Sequence, residues 1–459
     1  MKKITLLLSL LTFQLFFAID IFQFSLTKDQ KLQGTYSGDF ANNSTIHFVL
    51  VKNVGTKDFS LLPFLVDNAK TVKKLEEFKS KEMPQIYSYH LNNETLTLVS
   101  YDADNKELIV IDFDLITGKN KSIRQDLKKT PFNIFRKKDK TFLINFGNKN
   151  EVLLAKVITN SESIADKKID IPKDDFWTFN NIIASPPNEI NQEEFVVNGS
   201  ISTRKAYLTN NNLVYTIEKA KKEMQVFDFD LESLKYTKKE PLNLTFAKDV
   251  KDVSNYFTDN KLHFLSVLKD DIELTSFDLN GTKPSKTISI KNDLKSTFTD
   301  SEMSAFIDKA SLVFQVSTLT VNKTKDNNLA FRLDVVSKSD YDYNFNSNWW
   351  FMQQMGLWNH QQMMMNQISV PRGPAPNDNF LYSPEEKIKP LEFTLNLEMK
   401  LVQNRSETIY PKIDKQKCLE KFKEDKTKKE FTAGFTADEF RFIYQDKKTK
   451  TIIISFEKI

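Results

Sequence analysis

Apolar and polar residues alternate in runs of six to nine along most of the chain, separated by turns that carry Asn, Asp and Gly. A period of two marks a β-strand with one buried face, and those turn residues supply hairpin geometry. The clearest stretch, TLTLVSYDADNKELIVIDFDLITGK at 95–119, sets one run, a polar turn, a second run ending in Asp-Phe-Asp-Leu, and then a Thr-Gly turn. The phrase returns as NLVYTIEKAKKEMQVFDFDLESLK at 212–235 and as KLHFLSVLKDDIELTSFDLNGTK at 261–283. Looser copies lie at 141–162, 312–338 and 439–459, with short strand candidates such as SIRQDL, KKIDIP and KTISIK between copies. Each unit predicts a four-stranded antiparallel meander.

From Phe113 to Val157 is 44 residues and from Phe229 to Phe277 is 48, the blade period of a β-propeller. The Phe-Asp-Leu-x-Thr-Gly-Lys ending resembles the repeats of quinoprotein-like and YVTN-like propellers, where the chain leaves its third strand through a Thr-Gly turn. That resemblance implies a fold and no particular activity. Units fall near 33–78, 84–127, 131–171, 176–244, 255–290, 300–402 and 431–459, and IDIFQFSL at 19–26 is a strand without a unit of its own. The expectation is an all-β, seven-bladed β-propeller over 19–459 in which this N-terminal strand completes the last blade. Such closure leaves no open sheet edge at the seam. Eight blades is the alternative, because 176–244 is long enough to hold a degenerate unit; stacked β-sandwiches come third.

The first eighteen residues break the pattern. Two lysines precede an apolar run from Ile4 to Ala18, too short to span a bilayer comfortably, as in a secretory signal peptide. Phe16 departs from the small residue usual three positions before cleavage, so an uncleaved anchor is the alternative. Cys418 is the sole cysteine, so no internal disulfide forms and packing alone must hold the chain. With 459 residues, 40% of them apolar, a large core is available. These features point to an exported bacterial protein of the periplasm or cell surface. The 65 basic and 61 acidic residues nearly balance at +4 and are dispersed, which gives no nucleic-acid footprint.

The sequence is poor in recognisable chemistry. His47, His90, His263 and His360 lie far apart and in no zinc-helix spacing, and neither a phosphate loop nor a nucleophile elbow is present. His47, His90 and His263 fall in strand-like runs and read as sheet residues. Asp112, Asp114, Asp228, Asp230 and Asp278 recur at one place in successive units; a carboxylate that caps a turn recurs with the repeat, whereas a catalytic pair occurs once. A funnel carboxylate pair acting on a polysaccharide is the enzymatic alternative to a non-catalytic protein, and no cofactor is called for. The stretch 412–430 predicts a surface helix before the final unit, with Leu419 and Phe422 turned inward and Cys418 beside them.

Residues 339–390 interrupt the sixth unit and are expected to join its third and fourth strands. Their centre, NWWFMQQMGLWNHQQMMMNQ at 348–367, holds three of the four tryptophans and five of the ten methionines. From Tyr343 to Pro371 there is no Lys, Arg, Asp or Glu, in a chain that is 27% charged. Burial of one large aromatic side chain is worth roughly 1.5–3 kcal/mol, so this segment must pack: on its own scaffold, on a partner, or around a soft metal. Asn348 suits a helix start in the first case, and Pro371, Pro374 and Pro376 stiffen the exit. The expected use is docking. Trp349, Trp350, Phe351, Met352, Met355, Leu357, Trp358, Met363, Met364 and Met365 then form the contact surface for an envelope protein or protein complex. A membrane surface suits it less, because Lys and Arg are missing beside the aromatics. Met352, Met355, His360 and Met363 offer a Cu(I) ligand set as the third choice.

Overall fold

The computed structural model describes residues 18–459 other than 41, 128, 130, 132, 148–150, 185–186, 198, 210–211, 220–222, 240–241, 244–249, 280–283, 314, 338–388, 404–405, 414–417 and 419–424. Among the described residues the strands form seven sheets, almost wholly antiparallel and arranged like the units of a propeller. Sheet I spans 30–80, sheet II 85–126, sheet III 133–170, sheet IV 188–243, sheet V 252–289, sheet VI 315–395 and sheet VII 428–458. The long stretch 176–244 contains one helix, α1 (Phe176–Ala184), and sheet IV, with no second sheet among the described residues.

The expected single buried face holds only for the outermost strands. Asn120–Asp126 and Ser163–Asp170 alternate between covered and exposed positions and carry charge along the free edge, which discourages edge-to-edge association. The second and third strands are buried on both faces. In Thr45–Asn53, Ile46, Phe48 and Leu50 pack with Leu96, Leu98, Ile109 and Ile111 of sheet II. Val49 and Val51, on the opposite face, pack with Ile443, Ile452 and Ile454 of sheet VII. Sheet II meets sheet III through Val99, Val110, Leu143 and Ile158, sheet III meets sheet IV through Phe142, Ile144, Leu213 and Tyr215, and one core runs through sheets IV, V and VI. Each shared sheet face therefore buries one set of alternate residues against each neighbour. Paired sandwiches, with one packed face per sheet, do not describe this arrangement.

Two details differ from the sequence reading. Residues 300–310 form helix α3 (Asp300–Ala310), following the short helix α2 (Ile290–Asp293). In α3, Thr299 and Glu302 make a reciprocal capping box, and Met303, Phe306, Ile307 and Ala310 make a buried stripe. Sheet VI consequently begins at Gln315, and the 339–390 insertion joins its second strand, Leu329–Ser337, to its third, Leu391–Leu395, not the third to a fourth. The strand Lys428–Phe435 also starts inside the stretch read as helix, although Cys418 itself is helical and buried against Phe431, Phe440 and Phe442. Leu419 and Phe422 lie outside the described residues.

The N-terminal strand Ile19–Ser25 pairs antiparallel with the last strand, Thr451–Lys458, from Ile19↔Phe456 to Ser25↔Thr451. Phe22 and Phe24 pack on Phe64 of sheet I, with ring centroids 5.5 and 4.8 Å away. Arg441 locks sheets VII and I together. It is 1% exposed, donates from Nε to Glu439 at 2.7 Å, and donates to the carbonyls of Val66 at 3.0 Å and Asp67 at 2.7 Å. Lys70 completes the cluster, 3.0 Å from Glu439 and 3.6 Å from the Phe456 ring centroid. Removing the guanidinium strands a buried carboxylate and two carbonyls, so Arg441→Met is expected to lower unfolding free energy by about 3–5 kcal/mol. Arg441→Lys should recover only a minor part, because an ammonium cannot serve three acceptors in that fork. Urea unfolding of the three proteins checks this; a Met variant as stable as the parent refutes the lock.

Candidate functional site

The first strands of the sheets converge, and small polar residues fill the crowded space. Ser37 bonds Thr432 across sheets I and VII at 2.8 Å, Thr141 of sheet III donates to Ser88 of sheet II at 2.9 Å, and Ser317 of sheet VI donates to Asp252 of sheet V at 2.7 Å. Gly38 is needed for close approach: a Cβ there would stand 2.1 Å from the Tyr89 ring.

At the C-terminal ends of these strands lies a compact polar cluster. The Arg136 guanidinium stacks 4.6 Å from the Tyr89 ring centroid, and Phe40 meets the same ring edge-on at 5.6 Å. The Tyr89 hydroxyl accepts from the Asp39 backbone N–H at 3.2 Å. Burial pushes the Tyr89 phenol up to about 12, against the pull of Arg136. Burial works against the charge on Arg136, but Tyr89, Asp39 and Glu194 outweigh it and hold the guanidinium above its ordinary value. Lys137 pairs with Glu193 at 3.1 Å. Burial, followed by Glu193 and Glu194, pushes the Tyr410 phenol up.

Glu193 and Glu194 arrive on a segment of sheet IV that crosses in front of three other sheets. The strand Asn188–Ile190 runs parallel to Arg204–Thr209, and the chain between them is held on the far side. Gln192 donates to the Phe257 carbonyl of sheet V at 2.5 Å. Val196 and Asn322 of sheet VI exchange two hydrogen bonds of 2.9 Å, and Gly199 N–H donates to Thr320 at 2.8 Å. Only glycine fits at 199, because a Cβ would lie 1.8 Å from the Leu319 carbonyl oxygen. With Lys137 on sheet III, the crossing segment thus touches sheets III, V and VI. Chemically the cluster offers paired charge, stacking aromatics and amides; among the described residues no three His, Cys, Asp or Glu side chains gather as a metal cage.

The residues singled out from the sequence are distributed otherwise. Trp349, Trp350, Phe351, Met352, Met355, Leu357, Trp358, His360, Met363, Met364 and Met365 all lie outside the described residues. Asp114 and Asp230 are turn caps: Asp114 accepts from the N–H groups of Ile116 and Thr117 at 2.8 Å, and Asp230 from Glu232 at 2.8 Å and Ser233 at 2.9 Å. Asp112 and Asp228 face inward. Asp112 accepts from Thr97 at 2.8 Å and from the Ser161 hydroxyl of sheet III at 2.6 Å, while Asp228 accepts from Asn212 at 2.8 Å. Asp278 stands 3.9 Å from Lys261, and the turn residues that follow it at 280–283 lie outside the described residues. The Asp39–Tyr89–Arg136 grouping escaped sequence reading because no local motif joins it. One signal was present: its members are 50 and 47 residues apart, close to the repeat spacings of 44 and 48.

Comparison with known proteins adds fold neighbours. No family model matches the chain, and no curated protein matches it. Among solved structures, the β-propeller domain of the Trilobed protease from Pyrococcus furiosus is 7% identical, covering 94% of this chain and 96% of its own, at a TM-score of 0.32. The WD40 domain of SCAP from fission yeast is 6% identical, covering 96% and 98%, at 0.29. An acylaminoacyl peptidase from Pyrococcus horikoshii is 9% identical, covering 67% of this chain and 58% of its own, at 0.26. These are resemblances of fold, and no residue is carried over from them. No helix among the described residues is long and apolar enough to cross a membrane.

The sheet histidines have a consequence for acid stability. His47 lies between Ser37 at 2.7 Å and Thr45 at 3.1 Å, and His263 bonds Ser276 at 2.7 Å. Burial lowers both to about 3, with Arg441 adding at His47 and Lys261 at His263. The unfolded chain binds these protons near pH 6.5 and the folded one refuses them, so their stabilisation is complete above about 6.5 and drains away as pH falls toward 3. By pH 4 the expected loss is about 3 kcal/mol per histidine. Urea midpoints between pH 7 and 4 should fall less steeply for His47→Gln and His263→Gln than for the parent; parallel slopes refute the assignment.

Proposed function

We propose that the protein is an exported, non-catalytic docking protein of the cell envelope, built as a seven-bladed propeller whose N-terminal strand completes the last blade. The partner contact is the Trp/Met-rich insertion, Trp349 to Met365. The observation that carries this reading is where the insertion is rooted. It leaves and re-enters sheet VI between Leu329–Ser337 and Leu391–Leu395, where Leu333 and Leu391 are paired and buried. Helix α3 braces the same corner: Lys389 pairs with Glu302 at 3.0 Å, and Gln315, just after α3, pairs with Ser337. Leu312 and Val313 are 53% and 82% exposed beside this root and offer apolar surface on rigid scaffold. A charge-free aromatic segment on such a base suits a protein interface, where rigid anchors supply most of the binding energy.

The polysaccharide-enzyme alternative is less well supported by the geometry. In the proposed ring the crossing segment of sheet IV and the Tyr89–Arg136 stack occupy the region where a funnel site would sit, and the carboxylates there are drawn to cations.

Deleting 346–368 should leave the unfolding midpoint close to the parent's and abolish capture of a specific partner from envelope extracts; unchanged partners would count against docking. Seam closure has its own test. Removing Ile19–Ser25 exposes the faces under Phe22 and Phe24 and should lower stability by about 2–4 kcal/mol, with self-association on size-exclusion chromatography. A truncated chain that stays monomeric and equally stable excludes closure by this strand.

A further inference from the structure

Sheet VI meets its two neighbours in different ways. Its odd-numbered residues, among them Leu319, Leu333 and Phe393, join the apolar core shared with sheets IV and V. Alternate residues point to opposite faces, so Thr318 opposite Asp334, and Thr320 opposite Arg332, lie on the face away from that core. There Arg332 donates to Asp334 from Nε at 2.8 Å and to Glu392 from Nη1 at 2.7 Å. Among the described residues no apolar cluster joins this face to sheet VII, whereas every other pair of neighbouring sheets shares one.

The chain that connects the two sheets lies between them instead. Its Glu407 carbonyl accepts from the Lys325 N–H at 2.8 Å, and its Ile409 N–H donates to the Lys323 carbonyl at 2.8 Å, at the end of the first strand of sheet VI, Gln315–Lys323. Tyr410 then stands near Glu193 and Glu194 of the crossing segment. Lys412 reaches Glu392 on the third strand at 3.5 Å, and the next residue, Ile413, packs on the Phe431, Phe440 and Phe442 cluster of sheet VII. Residues 407–413 are thus a strap laid across the charged face of sheet VI, with sheet VII behind it. Water still reaches the strap: Ile409 is 47% exposed and the Lys412 side chain 57%. Buried apolar area supplies most of the cohesion between sheets, and a solvated ion pair adds little.

We propose, on the basis of the seven-sheet ring inferred above, that the VI–VII junction is the joint at which the ring opens, with residues 407–413 as its tether. Partial opening begins where buried apolar contacts are fewest, and here it parts a wet, charged face from a strap. The insertion is rooted on the same sheet, beside Leu333 and Leu391, so opening tilts that root relative to sheet VII while the Arg441 lock keeps sheets VII and I together.

Distances between spin labels on the full chain test the joint. Glu398→Cys in sheet VI, Ala437→Cys in sheet VII and Asn68→Cys in sheet I all fall at exposed turn positions, and Cys418 is buried and stays unlabelled. In urea below the global transition, the 398–437 pair should gain a second, longer distance in about a tenth of molecules or more, while the 437–68 pair keeps its single distance. Ile409→Pro, which removes the strap's N–H donor, should enlarge the longer population several-fold. If the 398–437 distance changes only with global unfolding, or is indifferent to Ile409→Pro, the joint is overturned and the ring stands. A 437–68 distance that is already broad without urea overturns the ring, and the joint with it.

Discussion

Burial of both faces of the inner strands is the constraint on which everything else rests. A strand such as Thr45–Asn53 cannot satisfy Ile46, Phe48 and Leu50 together with Val49 and Val51 against one neighbour, because alternate side chains point to opposite faces. Each sheet so built needs a sheet on either side, and chain order supplies them from sheet I through sheet VI. Sheet VII lies against sheet I through the same kind of contact, carried by Ile443, Ile452, Ile454 and the N-terminal Phe22 and Phe24. The Arg441 cluster adds orientation to that apolar contact, since a guanidinium directed at two carbonyls and a carboxylate tolerates little rotation of one sheet against the other.

Serial packing crowds the first strands, and the crowding explains their composition. Thr35, Ser37, Gly38, Ser88, Ser254 and Thr432 are small where neighbouring strands approach, and their hydroxyls bond across sheets. The crossing segment of sheet IV uses the remaining room. It brings Glu193 and Glu194 to Lys137 and Arg136, and joins sheets that are not consecutive in the chain.

Much of this was legible in strand-length patterns. Repeat spacing located five of the seven units to within a few residues, sheets IV and VI beginning 12 and 15 residues later than expected, and the Asp-Phe-Asp phrase marked turns that Asp114 and Asp230 do cap. Helix α3 was also readable, since Thr299 and Glu302 spell a capping box ahead of an apolar stripe; missing it shifted sheet VI by one strand and misplaced the root of the insertion. The cluster of Asp39, Tyr89, Arg136 and Glu194 was not readable, because each comes from a different unit and none stands in a motif.

The chain by itself determined its strands, its turns, its repeat period and the position of an uncharged aromatic segment, because those follow from interactions among residues close in sequence. Tertiary structure alone decided which faces are covered twice, that Asn188–Ile190 runs parallel and sends the next residues across the interior, and which charges meet there. Those outcomes depend on contacts between residues some fifty to four hundred positions apart, such as Tyr89 with Arg136 and Arg441 with Val66. Their geometry is set by the packing angle and spacing of whole sheets, a property no local stretch of sequence carries.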